Sequence, residues 1–215
     1  MKYIQKQMPP ASFVEYSQEQ GARFDDMKKD VKDELRRSLV CEQGGICCYC
    51  GKRIAPDYSS VIEHLLPKGL PEYEHLQLDY SNLLCSCDGG RQSRTGHNKA
   101  EKQQYPPTCD SKKNNELIQI TPLDIECERM FSYDEDGYIY GESDEATQTI
   151  QTLGLDCATL NNLRKAAMEA YDDKILDENE WYHEIEELSQ KHNGNYRPFC
   201  FAAIYYIKAF KISGH

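Results

Sequence analysis

A carboxylate and an imidazole side by side, Glu63-His64, close the apolar run Ser59-Ser60-Val61-Ile62, and an amide, Asn82, opens a second run, Asn82-Leu83-Leu84-Cys85. The stretch Gly96-His97-Asn98-Lys99-Ala100-Glu101-Lys102 follows and reads as a helix start. An imidazole titrating near neutrality is suited to general-base work. A neighbouring carboxylate, with a further donor from the helix, is suited to a hard divalent cation such as Mg²⁺ or Mn²⁺. Together these groups fit hydrolysis of a phosphodiester. Water must lose a proton as it attacks phosphorus, and the leaving oxygen must be stabilised as it gains charge. His64 is then the base, Glu63 a metal ligand, and His97 or Asn98 the second ligand. Asn82 supports the geometry by hydrogen-bonding the loop or ring that orients His64. Alone, each of these residues has a plainer role, as surface, turn or helix-start residue; their order and spacing carry the argument.

The same stretch holds the thiols. Cys47-x-x-Cys50 is a half-site for tetrahedral zinc, and the next pair, Cys85-x-Cys87, is spaced poorly for chelation, with Cys87 in the better place. Cys47, Cys50 and Cys87 are therefore candidates for a structural Zn²⁺. Cys48, Cys109, Cys127, Cys157 and Cys200 read as packing residues. Ten cysteines, with no signal peptide at Met1-Lys2-Tyr3-Ile4-Gln5-Lys6, point to a reducing, cytoplasmic setting. No apolar run is long enough to span a membrane.

The elements that must position these groups are mixed. Met27, Val31, Leu35 and Leu39 mark a helix from Asp25 to Cys41, ended by Gly44-Gly45. Residues 1–20 read as an arm with one or two packed aromatics. The segment Cys47–Gly51 is a tight turn, residues 67–80 a polar loop, 88–95 a basic insertion, and 97–104 a helix stopped by Pro106-Pro107. Leu117–Ile120 and Gly137–Tyr140 read as short strands. Helices follow at about 145–153, 157–175, 178–191 and 197–210. The last is apolar on most sides, which suits either a central core helix or a face docked on a partner. The division is therefore 1–115, carrying the site, and a mainly helical 116–215.

Net charge is −11 over 215 residues, which argues against unaided, nonspecific binding of a polyanion. Lys68, Arg91, Arg94, Lys99 and Lys102 nonetheless gather near the site as candidate nucleic-acid contacts, while most of the acid lies later.

The order acid-His, Asn, then His or Asn on a helix is that of the HNH, or ββα-metal, nuclease site. More specifically, Leu39-Val40-x-Glu42-Gln43-x-x-Ile46-Cys47-x-Tyr49-Cys50, Ile62-Glu63-His64-x-x-Pro67-Lys68 and Asn82-Leu83-Leu84 resemble the PtuB-like HNH nucleases of bacterial Septu and retron defence systems. The likeness continues through Ile120-x-Pro122-Leu123, Phe131-x-Tyr133, Thr149-Ile150 and Leu160-x-x-x-Arg164. It implies an α+β fold, with an N-terminal helix leading into a ββα-metal module and a helical C-terminal region. It also implies an anti-phage endonuclease that works with a PtuA-like ATPase, in some systems beside a retron reverse transcriptase and its nucleic-acid product. Thr95 stands where relatives carry a cysteine. The rival expectation is a zinc-knuckle adaptor that only docks on an ATPase; Glu63, His64 and Asn82 together count against it.

Overall fold

The structure, a computed structural model, describes residues 1–98, 102 and 104–212. Lys99 and half of the expected helix over 97–104 lie outside the described residues. The architecture is α+β. Among the described residues no helix is long and apolar enough to cross a membrane.

The strands that carry the site are Ser60–His64 (β1) and Leu83–Cys87 (β2), antiparallel, with His64 opposite Leu83 and Ser60 opposite Cys87. A two-stranded ribbon is marginal alone. Here its outer edge is closed by side chains rather than by a third strand. Gln43 Oε1 accepts from the Cys85 N–H at 2.6 Å, and Gln43 Nε2 donates to the Cys85 carbonyl at 2.8 Å. The turn around Cys47–Gly51 adds Cys48 N–H to the same carbonyl at 3.0 Å.

Gln43 is placed by helix Lys29–Glu42 (α2), whose Leu35 and Leu39 are fully buried. The helix starts four residues later than its apolar stripe suggests. Asp25 is held by Lys68 Nζ, and the Phe24 N–H donates to Gln77 Oε1 at 3.0 Å, so this segment is drawn towards the 67–80 loop. The N-terminal arm is also more structured than expected. Pro10, with its φ fixed near the helical value, precedes a short helix, Ala11–Ser17 (α1), which buries Phe13 and Tyr16 against α2.

After β2 the chain makes an excursion that is closed at its base by Thr108 N–H to Gly89 O, 3.2 Å. Gly89 has φ +58°, and a Cβ there would lie 2.1 Å from Thr108 O, so this closure requires glycine. The chain re-enters at Cys109–Lys113 (α3), which packs on β2.

The expected strand at 117–120 does not form. Its Ile120 N–H instead bonds Thr149 Oγ1, and the strand that pairs with Ile139–Gly141 (β4) is Phe131–Tyr133 (β3). Helices Asp144–Leu153 (α4), Ala158–Glu169 (α5), Glu178–Ser189 (α6) and Cys200–Tyr206 (α7) follow, α7 running into a π-helical stretch, Ile207–Ile212. Ser143 caps α4, and an Asp177/Glu180 capping box starts α6. Of the two settings open to the last helix, the structure adopts the core one. Phe199, Phe201 and Ile207 are buried, and α7 packs on β3, α5 and α6. One hydrophobic cluster takes residues from both sides of the expected 115/116 boundary.

Candidate active site and four-thiol centre

Four sulfur atoms, from Cys47, Cys50, Cys87 and Cys109, lie within 4.8 Å of one another, and all four residues are buried. The Cys47–Cys109 and Cys50–Cys87 sulfurs are 3.8 and 3.9 Å apart. A tetrahedral zinc with Zn–S bonds of about 2.3 Å requires sulfur separations of about 3.8 Å. The donor set thus fits Zn²⁺ in ligand type, number and spacing. Cys109 is a correction to the sequence reading, which made it a packing residue. Cys109 lies across the excursion from Cys87, so no CxxC spacing marks it. The signal that was there is its setting: a cysteine followed by Asp110-Ser111-Lys112-Lys113 is polar company for a packing residue. The cysteine missing at Thr95 leaves no gap, because Cys109 makes the fourth thiol.

Glu63 and His64 sit at the end of β1, both buried. Tyr49 OH donates to Glu63 Oε1 at 2.9 Å, and Lys113 Nζ pairs with the same oxygen at 2.9 Å. Burial raises the Glu63 pKa to about 8; Lys113 opposes this, and a hydrogen bond with the neighbouring Asp110 carboxyl adds to it. Two carboxyl groups sharing one buried corner are a cation-seeking pair.

His64 is held on three sides. Its ring meets Phe24 edge-on at 4.5 Å, its Nε2 lies 3.1 Å from Gln77 O, and its own carbonyl accepts from Lys113 Nζ at 3.1 Å. A carbonyl only accepts, so Nε2 carries the proton and Nδ1 the lone pair. Burial lowers the His64 pKa to about 4, which keeps the ring neutral at neutral pH. Asn82 sits behind this arrangement. Its Oδ1 accepts from Leu66 N–H at 2.7 Å, and its Nδ2 donates to Leu66 O and Leu76 O at 3.0 and 3.3 Å. The chain leaving His64 is thereby fixed to the loop that presents Gln77.

These groups open on a cavity of about 310 Å³, whose lining includes Glu63, His64, Lys68, Arg91, Asp110 and Asn114. Arg91 Nη2 bonds Asp110 Oδ2 at 3.0 Å. The helix that faces the strands is thus α3. Among the described residues neither His97 nor Asn98 lines the cavity, and His97 stacks on Tyr105 with ring centroids 5.6 Å apart. Both lie on the excursion beyond the Gly89–Thr108 closure. Arg94 spends its guanidinium on Gly89 O within that excursion, and Lys102 is exposed on it.

No protein-family model matches the chain. A curated relative, "Retron Vc95 putative HNH endonuclease" of Vibrio cholerae serotype O1 biovar El Tor, is 31% identical over 154 residues, covering 68% of this chain and 67% of the relative. The chain belongs to that family of HNH endonucleases. The carboxylate-imidazole pair, the amide at the second strand and the acidic helix start are, in this member of the family, neighbours in space although 47 residues separate Glu63 from Asp110. Asp110 and Asn114 also line this cavity, and nothing in the sequence pattern marks them, for the same reason as Cys109.

Proposed function

We propose that the chain is a metal-dependent endonuclease of the ββα-metal type, acting on the phosphodiester backbone of DNA or RNA. The observation that carries this reading is the convergence of Glu63, His64 and Asp110 on one cavity. Glu63 and Asp110, with Asn114 beside them, would hold Mg²⁺ or Mn²⁺, and this pair replaces Glu63 with His97 or Asn98 as the ligand set. When bound, the ion supplies charge for the scissile phosphate and the leaving oxygen. His64 Nδ1 takes the proton of the attacking water, with the ring oriented through Nε2 by Gln77 O. Asn82 is a positioning residue, holding the chain on either side of that contact. Lys68 and Arg91 meet phosphate oxygens at the cavity mouth. The four thiols would hold a structural Zn²⁺, which would tie α3 to β2.

The relative's name links it to a retron, and the resemblance extends this to anti-phage defence beside a PtuA-like ATPase in the cytoplasm. We carry both to this chain as proposals. A partner with a basic surface is consistent with a nuclease of net charge −11. The test is cleavage of single- and double-stranded DNA and of RNA with Mg²⁺ or Mn²⁺, alone and with the ATPase encoded beside it, comparing wild type with His64→Ala. Cleavage that His64→Ala leaves untouched would sink the assignment and favour the adaptor reading.

A further inference from the structure

A second cavity, of about 420 Å³, lies at the other end of β1 and is lined by Lys29, Asp33, Arg36, Arg37, Asp57, Tyr58 and Ser60. Lys29, Asp33, Arg36 and Arg37 form one stripe of α2. Asp33 is bonded by both Lys29 and Arg36, and Asp57 accepts from the Ser59 N–H. Arg37 is exposed, and Arg36 Nε is buried with no hydrogen-bond partner among the described residues. A buried donor left unpaired costs free energy unless a ligand or water supplies the acceptor. Tyr58 stands 77% exposed beside it, an aromatic face turned to solvent.

The two cavities are in series. They lie at opposite ends of β1: Ser60 lines the second cavity, and Ile62, Glu63 and His64 line the first. From Ser60 to His64 the strand rises about 13 Å. Between them, Gln92 Nε2 reaches the Tyr58 carbonyl at 3.4 Å, which brings the Arg91 loop to the same rim.

We propose that this second cavity is a subsite for a single-stranded polynucleotide, with Arg36 and Arg37 on a phosphate and Tyr58 stacked on an unpaired base. The strand then runs along β1 into the His64 cavity. Cations alone would suit any polyanion; the exposed ring next to them selects a chain with free bases. This assignment rests on the nuclease reading only for its direction, since binding is measurable without cleavage.

The experiment uses the full chain with His64→Ala as parent and a labelled single-stranded oligonucleotide of about 20 residues, titrated at several salt concentrations. Tyr58→Ala should weaken binding about tenfold. Arg37→Ala should reduce the slope of log affinity against log salt by about 0.7. Both side chains are exposed, so the variants keep the parent's thermal melt. In proteins with His64 intact, neither change should alter cleavage of a dinucleoside monophosphate, which is too short to reach the subsite. No binding by the parent, unchanged affinity and slope in both variants, or equal sensitivity of a blunt duplex to Tyr58→Ala overturns the proposal. Failure of every His64-intact protein to cleave any substrate, alone and with the ATPase encoded beside it, with the binding effects present, instead overturns the nuclease reading and leaves this one standing.

Discussion

Lys113 is fully buried, and its ammonium touches both members of the Glu63-His64 pair, the carboxylate of one and the carbonyl of the other. Removing the ammonium takes a buried donor from both the Glu63 carboxyl and the His64 carbonyl, at about 1–3 kcal/mol per group left short. Lys113→Met should therefore lower stability by that order in urea unfolding, and the double variant Lys113→Met/Glu63→Gln should recover part of the loss. His64 gives a pH signature. Its folded pKa of about 4 lies below the ordinary value of 6.5, so the unfolded state binds the proton more readily. Its contribution is present above pH 6.5 and is lost as pH falls through that window to about 4, up to about 3 kcal/mol. The difference between wild type and His64→Gln across pH 4–7 isolates it from Glu63, whose raised pKa acts in the opposite sense. In cleavage, His64→Ala should lose at least about 100-fold in rate while keeping a cooperative melt. Glu63, His64 and Asn82 were legible in the sequence because each lies in or beside a strand that its own apolar neighbours announce. Lys113 was not, because a lysine in a charged run gives no sign that it will be buried.

At the scale of elements, α3 shows why the rest of the site was hidden. It has five residues, too few for a periodic pattern, and it meets β2 only because Gly89 lets Thr108 close the excursion. Sequence reasoning follows the chain, and here the chain leaves the site for some twenty residues before returning. Purified protein should carry about one zinc per chain. Cys109→Ser should lower that content and the melting temperature together, while Cys157→Ser, outside the cluster, should change neither. The β2 edge offers a second check. Gln43→Leu leaves the Cys85 N–H without its acceptor, while the Cys85 carbonyl keeps the Cys48 N–H, and should cost about 1–3 kcal/mol. The longer elements α2, α4 and α6 were readable from periodicity and caps, with errors at ends where tertiary contacts intervene, as Asp25 and Phe24 show. The three-residue strand β3 was not, since Phe131-Ser132-Tyr133 alternates too briefly to be told from a loop.

For the molecule as a whole, the hydrophobic cluster joins the strands of the site to α7, and Phe199 N–H bonds Gly51 O within the thiol-bearing turn. Truncation after residue 196 removes this central helix, so the shortened chain should lose its cooperative melt rather than merely lose a binding partner. The placement of α2, β1, β2 and the C-terminal helices was legible in the sequence; their sharing of one core was not, because the change in texture after Asn115 looks like a boundary. The short helix α3 also has a practical consequence for assays. It carries one of the four clustered thiols at its first residue and the Glu63-His64 anchor at its last, so under the proposed function a chelator should act on the protein twice. Stripping a weakly held Mg²⁺ or Mn²⁺ should give an immediate loss that added magnesium reverses. Slow extraction of zinc should follow as a time-dependent loss that magnesium leaves in place. A single endpoint measurement in EDTA merges the two, and a time course separates them.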